Sequence, residues 1–276
     1  MIYVLSAVIG VAAFAYPFVL PQTALAETAH AADAPLLTTF LIVISLAVLL
    51  VEVQGQAVSA KVVAALGVLV AITAVLRFAE VIIPAFGGFT PIFVPIILAG
   101  YVFGARFGFL LGTMALLASG LVTGGVGPWL PYQMFTAGWV GMSAGWLPHP
   151  QGQRAQLILL TGFGLLWGFL FGVIMNLYFW PFVVDGSATS WQPGGGVWDG
   201  IGRYAAFYAV TSLVWDVGRA AGNVVLILVL GMPTVRALLR FRDRFQFKVE
   251  GQGQKAEGGV PIADRLTAEA LRAADV

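Results

Sequence analysis

Six polar side chains, Tyr204, Tyr208, Ser212, Asp216, Arg219 and Asn223, recur at intervals of four, four, four, three and four residues in one otherwise apolar run. At about 3.6 residues per turn, that spacing keeps all six on one side of a helix. Inside a bilayer such a side must face protein or water. Asp216 and Arg219 stand three apart and are expected to neutralise each other. Tyr204, Tyr208 and Ser212 are then the candidates for touching a ligand. Arg77 and Glu80 form a second i,i+3 pair, and Arg77 is a candidate second partner for Asp216. An ionisable group at the centre of a membrane helix costs about 2.5–3.5 kcal/mol on insertion scales, so each pair marks a site or a structural neutralisation. A third pattern runs Gly164, Gly168, Gly172, Asn176 and Trp180 at strict four-residue spacing. Its glycines predict a tight helix contact. Its amide and indole form a pair able to grip a ligand, with an interfacial-belt role open for Trp180.

Most catalytic chemistry is excluded by what accompanies these residues. His30 and His149 are the only histidines and there is no cysteine, so no paired-histidine or thiolate metal site is expected. The HExxH, Walker and nucleophile-elbow motifs do not occur, and no Asp-rich cluster is present to hold a diphosphate through magnesium. No cofactor and no catalytic residue are therefore assigned, and any ATP-driven process needs a separate ATPase. A net charge of +1 provides no basic field for nucleic acid.

The elements that must position these residues are membrane helices. Hydrophobic residues make up 59% of the chain and charged ones 10%, with a mean hydropathy of +0.92. A span takes about 20 apolar residues. Eight runs qualify, at about Ile2–Leu20, Leu36–Val53, Val62–Ile83, Thr90–Phe103, Phe107–Val122, Pro131–Leu147, Leu157–Val183 and Ile201–Leu230. The fold class is all-α and polytopic. Placing the N-terminus in the cytoplasm puts Lys61, Arg106, Arg154 and the tail residues Arg236, Arg240, Arg242, Arg244, Lys248, Lys255, Arg265 and Arg272 on one side. These are eleven of fourteen basic residues, as the positive-inside rule requires. Both termini are then cytoplasmic, and His30 and His149 fall on opposite sides. Ala24-Leu25-Ala26 has the form of a signal-peptidase site, but Met1-Ile2-Tyr3 supplies no basic leader and the run is long enough to span. Retention of the first helix is the expectation. Cleavage would leave seven spans.

The stretch from Gly87 to Trp146 alternates apolar helical runs with two Gly/Pro-rich, nearly uncharged loops, Gly87–Pro91 and Gly124–Pro131, joined by a short turn carrying Arg106. Such loops can fold over the mouth of a bundle and close on a small molecule. Between Lys61 and Gly231 this pattern resembles the substrate-binding S components of energy-coupling factor (ECF) transporters. The resemblance implies a six-helix core over residues 62–231. An N-terminal hairpin over residues 1–61 precedes it, and a basic cytoplasmic tail over residues 232–276 follows. It also implies a noncatalytic subunit of the cell membrane that captures a vitamin for a T component and two ATPase subunits. Ala60, Ala64, Gly67, Ala71 and Ala74 form one smooth face on the first core helix, similar in type to the AxxxA face by which S components dock the T component. Packing inside the same bundle is an equally open role for that face.

The outer half of the chain is rich in large aromatics. With neighbouring polar groups they give a candidate binding set of Trp129, Tyr132, Gln133, Trp139, Asn176, Trp180, Trp191, Trp198, Tyr204, Tyr208 and Ser212. Tyr178 belongs to the same aromatic group. Such a lining suits a bulky heteroaromatic, and among S-component substrates a corrinoid such as cobalamin is the first expectation, with riboflavin, thiamin or a precursor open. Three other readings remain. A secondary transporter usually shows paired repeats and acidic coupling sites, neither of which is apparent. A noncatalytic membrane scaffold and an unrecognised membrane enzyme are the other two.

Overall fold

The computed structural model describes residues 2–19, 60–82, 87–183, 186–192 and 194–243, with residues 36, 39, 40 and 43 besides. Apart from those four positions, the expected second helix of the N-terminal hairpin lies outside the described residues, as do His30, Asp33 and the tail beyond residue 243. Every regular element among the described residues is helical: α1 (Ile2–Val19), α2 (Ala60–Ile82), α3 (Phe93–Phe103), α4 (Ala105–Thr123), α5 (Leu130–Ala144), α6 (Gln153–Phe179) with a 3-10 turn at Trp180–Phe182, α7 (Val197–Thr211) and α8 (Leu213–Leu226). A π-helical turn, Ile227–Gly231, follows α8, and helix continues to Asp243. Val62–Ile82, Ala105–Thr123, Gln153–Phe182 and Leu213–Asp243 are long and apolar enough to cross a membrane. The chain divides into two compact units, Met1–Arg236 and Ala237–Val276; of the second, only the helical residues 237–243 are described.

Glycine decides which helices lie in the middle. In lipid, apolar side chains gain nothing by leaving their surroundings, so helices associate through close packing. Gly108 on α4 and Gly141 on α5 face each other so tightly that a Cβ on either would fall on the other's backbone. Gly112 meets the carbonyl of Ala137 in the same seam. Against this centre packs α3, which spans eleven residues and is therefore about 16 Å long, half a bilayer core. Nine of its residues are buried, which explains why it reads as apolar all round. The expected Thr90–Phe103 run is thus shorter at its start, with Pro91 and Ile92 forming a turn ahead of the helix.

One expected element is corrected. The run Ile201–Leu230 is not one continuous helix, because Ser212 adopts φ −130° and ψ −25° and separates α7 from α8. The break keeps its hydrogen bonds: the Ser212 N–H donates to Tyr208 O at 2.9 Å and the Asp216 N–H to Ser212 O at 3.0 Å. The Ser212 side chain is occupied too, its Oγ accepting from Asn176 Nδ2 at 2.7 Å. A short polar side chain that competes for local bonds is a common cause of such a bend.

On α2, Leu66, Thr73 and Ala74 turn inward, whereas Ala64, Gly67 and Ala71 are exposed and a Cβ at Gly67 would meet nothing within 4 Å. These opposite environments yield a direct test. Gly141→Ala is expected to cost about 1–3 kcal/mol, the usual range for overpacking, read as a clear drop in the unfolding temperature in detergent. Gly67→Ala should leave that temperature unchanged. Equal shifts in the two variants would contradict the packing described.

Candidate functional site

A cavity of about 250 Å³ lies inside the bundle, lined by Arg77, Glu80, Gly88, Thr90, Ile92, Phe93, Leu116, Gln133, Phe171, Trp215 and Arg219. It brings together parts of α2, the turn before α3, and α3 through α6 and α8. Arg77 lies five residues before the last residue of α2, which is about 7.5 Å along the axis. Arg219 donates to the carbonyl of Gly168 at 3.3 Å, near the middle of the Gln153–Phe182 span. The cavity therefore reaches from the Ile82 end of α2 to mid-helix on α6.

Two ion pairs frame it. Arg77 Nη1 lies 3.2 Å from Glu80 Oε1, and Glu80 Oε2 accepts a 2.5 Å bond from Thr90 Oγ1. The loop hydroxyl is thereby tied to α2. On the other side, Arg219 Nη1 pairs with Asp216 Oδ1. Asp216 Oδ2 accepts from Tyr208 at 2.8 Å, and Asp216 is only 1% exposed. Arg219 also lies over the rings of Phe171 and Phe93, 5.2 and 6.0 Å from their centroids. Phe93 and Phe171 meet edge to face at 4.7 Å and form the apolar wall.

Glycine makes room for both the loop and the pair. Gly87 and Gly88 have φ of +52° and +78°, which side-chained residues rarely adopt. A Cβ on Gly88 would fall on the Trp215 carbonyl, and one on Gly218 would fall on the Gly87 carbonyl. The loop thus lies directly on the α8 backbone. Along α6, a Cβ at Gly172 would strike the Asp216 carboxylate and one at Gly168 the Ala220 backbone. The four-residue glycine pattern gives the tight contact its spacing predicts, and that contact is where Asp216 is housed.

The expected binding residues divide among several places. Gln133 lines the cavity, and Tyr208 stands two bonds behind it, through Asp216 and Arg219. Asn176 and Ser212 bond each other at the α7–α8 break. Tyr132 and Trp139 pack against Phe14 of α1, with centroids 4.9 and 5.9 Å away, and Tyr178 lies 4.6 Å from Tyr132. Trp180 forms a second cluster with Trp191 and Tyr204, at 5.1 and 4.9 Å, roofed by Phe18 of α1. Trp180 Nε1 donates to Thr189 O at 2.8 Å, and the Tyr204 hydroxyl donates to Val173 O. Trp129 and Trp198 are exposed, at 43% and 85%. Arg203, 2.8 Å from Asp199, holds the carbonyls of Ser187 and Ala188 and staples that loop to α7. Thr90, Phe93, Phe171 and Trp215 join the cavity without having been candidates. Thr90 sits in the predicted mouth loop, but the other three carry no mark that separates them from ordinary apolar residues. Arg77 and Asp216 are not bonded to each other; each is held by the neighbour three residues away.

A model of the family described as ECF transporter, substrate-specific component, matches residues 61–231, more than half of the chain. No curated protein and no solved structure matches.

Removing either member of a buried ion pair typically costs about 3–5 kcal/mol, because it strands the other. Asp216→Asn and Arg219→Gln are each expected to lower the yield and thermal stability of folded protein in detergent. The double variant should lose less than the sum of the two. Strictly additive losses would mean that the two groups are not coupled.

Proposed function

This chain belongs to the family of substrate-specific components of ECF transporters, and we propose that it captures a small, vitamin-like molecule in the cavity beneath the Gly87–Pro91 loop. Its place in the family makes it a membrane protein whose part is substrate binding rather than catalysis. The observation that carries the proposal is the cavity itself. Two guanidiniums, a carboxylate, a hydroxyl and an amide converge on a phenyl-lined space within a bundle of apolar helices. Polar groups are expensive at such depth, and their convergence on an internal space is the usual mark of a ligand site.

Size speaks against the first expectation for the substrate. A volume of about 250 Å³ falls just below the range of roughly 300–1,000 Å³ for drug-sized ligands. The proposed substrate is therefore of the size of a simple vitamin or a precursor rather than a corrinoid with its macrocycle and long side chains. The aromatic clusters around Tyr132 and Trp180 then seat α1 on the core rather than line the pocket.

In the proposed assembly, the loops at 87–92, 124–129 and 186–196 face outward, and Lys61, Arg106, Arg154 and the basic tail face the cytoplasm. Residues 1–61, 62–231 and 232–276 are hairpin, binding core and tail. The exposed face of Ala64, Gly67 and Ala71 suits the T component, since small residues let a second helix approach closely. Two ATPase subunits supply the energy. Gentle purification of the tagged protein from its own cells tests the whole reading. The expected result is co-purification of the T component and ATPases, with one bound molecule lighter than a corrinoid in native mass spectra. Absence of both partners and bound molecule would contradict it.

The docking face has its own test. Ala64→Trp and Gly67→Trp should keep the bound molecule but remove the T component from the purified complex. Retention of the T component by both variants would take this face out of the docking role.

A further inference from the structure

The charges and spare donors of the cavity specify a ligand more narrowly than size does. Arg77 and Arg219 each carry five N–H groups. Among the described residues the protein engages each guanidinium through Nη1 alone, Arg77 toward Glu80 and Arg219 toward Asp216 and Gly168. The negative charge in the lining is already committed: one Glu80 oxygen faces Arg77 and the other accepts from Thr90. Gln133 reaches the cavity with no side-chain hydrogen bond to the described residues. The two guanidiniums thus leave more unspent donors than any other group in the lining.

Geometry favours a planar acceptor. The Arg219 guanidinium carbon lies 5.2 and 6.0 Å from the ring centroids of Phe171 and Phe93, so an apolar wall flanks the cation. Its unengaged in-plane N–H groups are what remain for a ligand. A fork of that kind matches a carboxylate, with two oxygens in one plane. Charge balance sets the limit. Arg77, Arg219 and Glu80 sum to +1 in the lining, and counting Asp216 behind Arg219 brings the total to zero. A monoanion then leaves the cluster at −1 and the dianion of a phosphate monoester at −2, so a single negative charge is the smaller electrostatic cost. Opposite the donors, Ile92, Phe93, Leu116 and Phe171 provide an apolar wall for the rest of the molecule.

We propose that the ligand of this cavity is a small monocarboxylate with an apolar or aromatic body, its carboxylate held between Arg77 and Arg219. This rests on the cavity being the substrate site. The bond from Thr90 to Glu80 links the loop over the cavity to the same α2 turn that presents Arg77.

Capture from a mixture tests the assignment without knowing the compound. The full-length protein in nanodiscs is incubated with the fraction below 1 kDa of an extract of its own cells, washed, and the retained compounds are identified by mass spectrometry. A parallel extract is treated to convert carboxylic acids to methyl esters. The expected result is one enriched carboxylate from the untreated extract and none from the esterified one. Arg77→Gln should retain at least tenfold less, with partial recovery in Arg77→Lys. Arg77 is the variant of choice because its partner Glu80 is partly exposed, whereas Arg219→Gln strands the buried Asp216; Gln133→Leu provides a second variant at a position without a charge partner and should also weaken retention. Enrichment of a neutral, cationic or phosphorylated compound would overturn this inference while leaving the binding reading intact, and so would undiminished capture by both Arg77→Gln and Gln133→Leu. Failure of the wild-type protein to enrich any compound would overturn both.

Discussion

A carboxylate and a guanidinium at membrane depth need each other, and Asp216 and Arg219 meet here because α6 leaves a space for them. Gly172 stands where any side chain would strike the Asp216 carboxylate, and Gly168 lets the Ala220 backbone of α8 come close and gives its own carbonyl to Arg219. Tyr208 completes the shell from α7. Had α6 carried alanine at these positions, α8 would stand farther out, and the guanidinium would lose both its acceptor on α6 and its seat over Phe171. The helix seam, the charge pair and the cavity wall are one construction.

The same economy of space links the site to the rest of the bundle. The Gly87–Gly88 turn lies on the backbone of α8 at Trp215 and Gly218, so the loop that covers the cavity is registered against the helix that presents Arg219. On α2 the two functions proposed for the chain fall on one rigid element. Arg77 and Glu80 line the cavity, while Ala64, Gly67 and Ala71 are exposed, with Gly67 and Arg77 ten residues or about 15 Å apart along the axis. A helix that touches substrate near one end and offers a smooth face farther along is a physical route by which occupancy can reach a docked partner.

Much of this was legible in the sequence, for identifiable reasons. Charged and glycine residues are rare inside apolar runs, so Arg77, Glu80, Asp216, Arg219 and the Gly164–Gly168–Gly172 series stood out, and spacing alone fixed how they share a helix face. The all-α membrane class followed from composition, and the family resemblance from the Gly/Pro loops is matched by the family model over residues 61–231. Aromatic content alone did not show which of these rings pack on α1. Tyr132, Trp139, Trp180 and Trp191 pack with Phe14 and Phe18 of α1, a tertiary contact that no local pattern announces. Phe93 and Phe171, which do line the cavity, look like any other core phenylalanine. The break at Ser212 was equally hidden, since serine is common enough in membrane helices that its bond to Asn176 on a distant segment had to be seen to matter.

The central claim is that substrate lies among Arg77, Arg219, Phe93 and Phe171. An experimental structure of the protein purified together with its bound small molecule tests this most directly. Ligand density is expected beneath the Gly87–Pro91 loop, in contact with both guanidiniums and the two phenyl rings. Density seated instead among Trp180, Trp191 and Tyr204, with the Arg77–Arg219 cavity unchanged, would contradict the claim.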